Sequence, residues 1–166
     1  LKPIEIPQER EIPIPEGGYK TGDVVKAAIA FARGNGILGE HLNQDTGKVI
    51  IVSPKRLLGS LHHWAGPQKI RVVGILPELI RDGVYLGQGK KSTPQMTDHV
   101  FTSKALIDGE LYAVGMVVHE DSNGRRFYDH ELMKLKRLGS PAEPRGIDSH
   151  RSAEDQASIQ SIVSDR

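Results

Sequence analysis

The stretch HVFTSKALIDGELYAVGMVVHEDSNGRRFYDHEL, residues 99–132, decides the fold. On either side of Asp108-Gly109 apolar and polar residues alternate with a period of two. That dipeptide tolerates the positive φ angles a two-residue hairpin demands. Asn123-Gly124, ahead of RRFYDHEL, is a second turn of the same chemistry. Two such turns in succession predict three antiparallel strands joined as a meander. Alternation puts His99 on one sheet face with Phe101 and Ser103, and puts His130 with Tyr128, opposite Phe127.

Upstream the period is helical. Val24, Val25, Ala28, Phe31 and Ala32 recur at helical spacing between Thr21 and Arg33, and Gly34 and Gly36 stop the run. A short turn is expected in ILGEHLN (37–43), then a buried strand in VIIV (49–52), rich in β-branched residues. Ser53-Pro54 combines an N-cap side chain with proline at the first helical position, and KRLLGSLHHW continues that helix until Gly66-Pro67. A further helix over 69–82, bent at Pro77, ends at Gly83, and from Val84 the period becomes two. Helices first and a meander second predict an α+β domain with N-terminal helices packed on a small antiparallel sheet.

The ends differ from this middle. Residues 1–19 carry Pro3, Pro7, Pro13 and Pro15, which exclude helix and favour an extended arm or linker along the domain edge. Residues 139–166 are polar, with a weak helix expected over 152–163 that orders only against a partner. The globular unit is therefore expected over 20–138. The start at Leu1 suggests a domain excised from a larger chain.

Composition narrows the chemistry. With no cysteine, disulfides and thiolate metal sites are excluded. No apolar run reaches the ~18–20 residues a membrane span needs, and no signal peptide opens the chain. A cytoplasmic place of action follows as the expectation, with delivery by a larger secreted or injected parent left open. The net charge of +1 is too balanced for bulk attraction to nucleic acid. Local clusters are left: Lys55 with Arg56, Lys90 with Lys91, and Lys134, Lys136 and Arg137, for each of which a solvated face is the more ordinary reading.

Histidine is the informative residue, since its pKa near neutrality suits proton transfer. His62 and His63 end a predicted helix, whose dipole favours an imidazolium; the plain alternative has one ring in solvent and the other beside Trp64. His99 begins the first meander strand, His119 ends the second and His130 lies on the third. His41 sits in a glycine-flanked loop and His150 in the polar tail. No histidine pair has the spacing of a zinc site, no serine sits in a GxSxG elbow, and LGQGKKSTP (86–94) lacks the phosphate-loop pattern and reads as a loop beside a site. No metal or cofactor is expected. Histidine with Lys, Arg, Tyr and Ser on a twisted sheet suits RNA cleavage by the substrate's own 2′-hydroxyl, which needs a base, an acid and a cation but no metal.

Residues 44–135 add a resemblance. The run QDTGKVIIVSPKRLLGSLHHW, then ILPELIRDGVY, then the meander ending NGRRFYDHEL resembles the nuclease-like domains of phage and mobile-element polyvalent proteins. These are identified as members of the barnase–EndoU–colicin–RelE superfamily of RNases. The resemblance implies N-terminal helices against a four-stranded antiparallel sheet. It also implies a metal-independent RNase used as a toxin or effector, with a cognate immunity protein or antitoxin as partner. By position it implies His62 (or His63) and His99 as the acid–base pair, Lys55 against the phosphate, and Tyr128 and His130 orienting the substrate. It differs from the barnase type in lacking a carboxylate base on the first meander strand. The rival expectation is a non-catalytic interaction module of a large polyvalent chain with structural histidines. A nucleotide-using transferase on a related scaffold is a third.

Overall fold

A computed structural model describes residues 1–18, 22–61, 66–90 and 93–140. His62, His63 and the expected tail beyond Ser140 lie outside the described residues. Seven strands form one curled, mixed sheet: β1 (Ile4–Glu5), β2 (Gly39–Leu42), β3 (Val49–Val52), β4 (Val84–Gln88), β5 (Thr97–Ile107), β6 (Glu110–Glu120) and β7 (Arg126–Gly139). The path through it is β1-β5-β6-β7-β3-β2, and β4 pairs with the same edge of β5 that receives β1. The helices are α1 (Gly22–Gly34), α2 (Pro54–Leu61), α3 (Pro67–Arg71) and α4 (Leu76–Asp82), with a 3-10 segment, Val72–Ile75, joining the last two. The fold is α+β.

The meander forms as its turns require. Asp108 (φ 52°) and Gly109 (φ 75°) both take the left-handed conformation of a two-residue hairpin, so Ile107 pairs with Glu110 and the ladder runs back to Thr97 opposite Glu120. Gly124 (φ 80°) turns the chain again, and Glu120 pairs with Arg126. The expected helix over 69–82 is three shorter pieces, with Pro77 in the first turn of α4, where its missing N–H costs nothing. Ser53 caps α2 by accepting the backbone N–H of Arg56 at 3.3 Å.

Three expectations are corrected. The stretch 37–43 is more than a short turn: Gly39 (φ 111°) redirects the chain, and Gly39–Leu42 pairs antiparallel with Val52–Val49. Nor is the sheet small and purely antiparallel. β3 joins β7 in parallel, Ile50 beside Arg126 and Ile51 beside Phe127, and β1 lies parallel to β5. Strand β4, Val84–Gln88, also takes in 86–88, the start of the stretch 86–94 read as a loop.

One face of the sheet builds the main core. Phe101, Val114, Met116, Val118, Tyr128, Ile50 and Val52 pack with Val24, Ala28 and Ala32 of α1, Ile70 of α3 and Leu76, Leu79 and Ile80 of α4. Fully burying one such leucine stabilises by about 1.5–3 kcal/mol. No helix among the described residues is long and apolar enough to cross a membrane.

Candidate functional site

The Asp108-Gly109 turn sets what the central strands place together. Counting back from it, Asp98 lies opposite His119 and His99 opposite Val118. From the next turn, His119 lies opposite Phe127 and Val118 opposite Tyr128. Asp98, His119, Phe127 and, two residues on, Asp129 therefore share the face turned away from the main core. His99 and Tyr128 share the core face.

On the first of these faces His119 is clasped by two carboxylates. Its Nδ1 is 2.6 Å from Asp98 Oδ1 and its Nε2 is 2.6 Å from Asp129 Oδ2. The hydrogen bond to Asp129, with that to Asp98, outweighs burial and raises the imidazole's pKa, so the ring is held as imidazolium donating both N–H groups. Burial pushes the Asp129 carboxyl up, but the bond to His119 and its charge bring it below the ordinary range. Arg56 of α2 reaches the same carboxylate, Nη1 3.8 Å from Asp129 Oδ2, and its guanidinium lies 5.6 Å from the centre of the Phe127 ring. Arg125 lies 5.7 Å from that ring and is bridged to Asp121 at 3.0 Å.

The core face holds two separate histidine–tyrosine pairs. His99, 5% exposed, has Nδ1 2.8 Å from the Tyr85 hydroxyl. Its Nε2 is buried 3.3 Å from Glu120 Oε1 without forming a hydrogen bond to it. Burial lowers the His99 pKa, helped by the Arg126 charge and opposed by Glu120. His130 is fully buried; its Nε2–H donates to the Lys69 carbonyl (3.1 Å), which leaves Nδ1 to accept from the Tyr128 hydroxyl (2.7 Å). Burial, reinforced by the Lys69 charge, brings His130 down to about 3 and keeps it neutral. Burial likewise pushes the Tyr128 phenol well above its usual value. Lys69 itself donates to the Glu131 carbonyl at 3.0 Å, and burial lowers its pKa against the pull of Asp129 and Glu131.

Among the described residues, His99 with Tyr85 and Tyr128 with His130 form separate pairs. His99 and Tyr128 are two strands apart on one rung, about 10 Å between backbones. Tyr128 and His130 spend their polar atoms on each other and on Lys69 O. Lys55 is exposed on the first turn of α2, and its neighbour Arg56 is the cation that meets the sheet. His62 lies outside the described residues. His41 Nε2–H donates to the Ile37 carbonyl (2.7 Å). The grouping missed from sequence is Asp98–His119–Asp129 with Arg56. Half of it was open to inspection, since the hairpin turn alone puts Asp98 opposite His119. Among the described residues no three His, Asp or Glu side chains are placed to hold a metal ion.

Residues 20–128 match the family described as large polyvalent protein-associated domain 3, and the chain belongs to that family. No curated protein and no solved structure matches it.

Proposed function

We propose that the domain is a non-catalytic interaction module within a large polyvalent chain. One observation carries this reading: His119 and His130 each have both ring nitrogens hydrogen-bonded to the chain's own groups, and His99 has Nδ1 bonded to Tyr85 and Nε2 buried beside Glu120. An acid–base catalyst needs one ring nitrogen within hydrogen-bond reach of the reacting proton. Here the imidazoles join strand to strand and helix to strand, which is a structural use. Tyr128 and His130, buried and mutually satisfied, are read as core residues.

A second reading keeps the metal-independent RNase of the barnase–EndoU–colicin–RelE kind. It is favoured by a specific feature: the His119 imidazolium shares Asp129 with Arg56. In that reading His119 is the acid that protonates the departing 5′-oxygen once it releases Asp129, Arg56 and Lys55 face the phosphate, and His62 and His99 remain candidate bases. An immunity protein or antitoxin would be the partner of such an activity.

One experiment separates the two. The chain is incubated with structured RNA in EDTA and the products are examined for cyclic-phosphate ends. The module reading expects intact RNA at every protein-to-RNA ratio. The RNase reading expects cleavage that falls by ~10²–10⁴-fold in His119→Ala.

A further inference from the structure

Outside the histidine cluster, the arm at residues 4–12 makes a set of specific backbone, ionic and apolar contacts. We propose that the groove between the outer edge of β5 and the α3–α4 segment is a peptide-binding site, and that this arm is its ligand, held in cis. The inference deepens the module reading and rests on it.

The groove recognises the arm in three ways. Backbone pairing comes first: Ile4 and Glu5 add a parallel strand beside Ala105 and Leu106, using hydrogen-bonding groups of β5 that a sheet edge otherwise leaves open. Charge comes second, with opposite signs in order. Arg10 pairs with Glu78 at 2.7 Å and donates from Nη1 to the Gly74 carbonyl at 3.1 Å. Glu11 receives a two-pronged contact from Arg71, at 2.6 and 3.1 Å, and Arg71 also holds Asp108 of the hairpin turn at 2.6 Å. Shape comes third. Ile12 is 2% exposed, and Ile4 and Ile6 pack against the core.

Gly74 shows that the groove is fitted to a backbone. A Cβ there would overlap the carbonyl oxygen of Arg10, so the 3-10 segment admits the arm only because this residue has no side chain. Gly74 takes no left-handed conformation. Close approach by the arm is therefore the reason glycine is needed.

The groove residues, 71–78 and 105–108, fall within the stretch that matches the family, while the arm precedes it. The receptor surface thus belongs to the domain, and the ligand is its neighbour along the chain. The recognised peptide is extended at Ile4–Glu5, with isoleucines at alternate positions 4 and 6, makes one 3-10 turn over Gln8–Arg10 and presents Arg-Glu-Ile at 10–12. A second copy of the arm, supplied in trans, satisfies the same contacts.

The test uses the full chain with a protease site inserted between Gly17 and Gly18. After cleavage, a fluorescent peptide of residues 1–16 is titrated onto the cut protein, and anisotropy reports exchange with the resident arm. The expected result is saturable binding, competed by unlabelled peptide and weakened at least tenfold by Arg71→Ala and by Gly74→Ala. Circular dichroism of each cut variant checks that the sheet is intact. A folded cut chain that does not rebind the peptide would overturn the proposal, as would binding indifferent to both substitutions. Unfolding on cleavage would overturn it too, since the arm would then be part of the fold and not a ligand. RNA cleavage by the intact chain would remove the module reading while leaving the peptide titration interpretable by itself.

Discussion

His119 and His130 lie on neighbouring strands, yet the chain holds them in opposite charge states, and stability should record both. His130 is neutral in the folded protein with its pKa at about 3, far below the ~6.5 of an unfolded chain. Between those limits the unfolded state binds a proton that the folded state refuses. Stability should therefore fall as pH drops below ~6.5, by about 1.4 kcal/mol per pH unit for this one group. His99, also lowered by burial, acts in the same direction. His119 has the contrary sign. Its raised pKa contributes stability that is complete below ~6.5 and is lost as pH rises through the folded value. Urea unfolding from pH 4.5 to 8.5 is expected to show a maximum between the two losses. His130→Asn should remove about one proton from the acid slope, and His119→Gln should flatten the alkaline decline. An acid slope unchanged in His130→Asn would mean that this imidazole is not kept neutral by burial.

Single elements depend on a few polar anchors. Asn43 is fully buried; its Nδ2 donates to the carbonyls of Ile80 (2.8 Å) and Gly83 (2.9 Å), and its Oδ1 accepts from the N–H (2.9 Å) and hydroxyl (2.8 Å) of Thr46. One side chain thereby ends α4 and shapes the turn between β2 and β3, two elements far apart in sequence. Asn43→Ala leaves several buried groups without partners and should cost about 2–3 kcal/mol, measured as a lower urea midpoint at unchanged m-value. A loss under ~0.5 kcal/mol, the size expected of an ordinary surface change, would contradict this role. The short elements were the hardest to read. The Gly39–Leu42 strand has only four residues and no clear period, and what defines it is pairing with β3.

At the scale of the whole molecule one apolar layer joins the helices to the curled sheet. Leu79 is fully buried on α4 within the cluster that includes Phe101, Met116 and Val118. Leu79→Ala should destabilise the domain by ~2–5 kcal/mol, the transfer loss plus a cavity that rigid sheet neighbours cannot close. Differential scanning calorimetry would register it as a lowered midpoint of a single transition. Two separated transitions would mean that helices and sheet do not share one core. The other face of β5 and β6 carries Asp98 and His119, so the same strands serve the core on one side and the charged clasp on the other.

What the amino-acid sequence determined by itself is whatever short-range backbone chemistry controls. Asp108, Gly109 and Gly124 take left-handed geometry cheaply, and from these two turns the meander's order and the register beside the first follow. Ser53-Pro54 starts a helix for an equally local reason, and alternation counted back from the Asp108-Gly109 turn separates His99 from His119. Tertiary structure decided the rest. β3 meets β7, and the arm meets β5, across long stretches of chain, because buried apolar surface repays the closure of those loops and no local signal announces it. Asp129 reaches His119 as a diagonal neighbour and not a direct partner, and Arg56 joins them only because β3 delivers α2 alongside β7. The histidines were legible as residues able to carry a proton. Which groups face their ring nitrogens, and so which charge each one bears, is a property of packing.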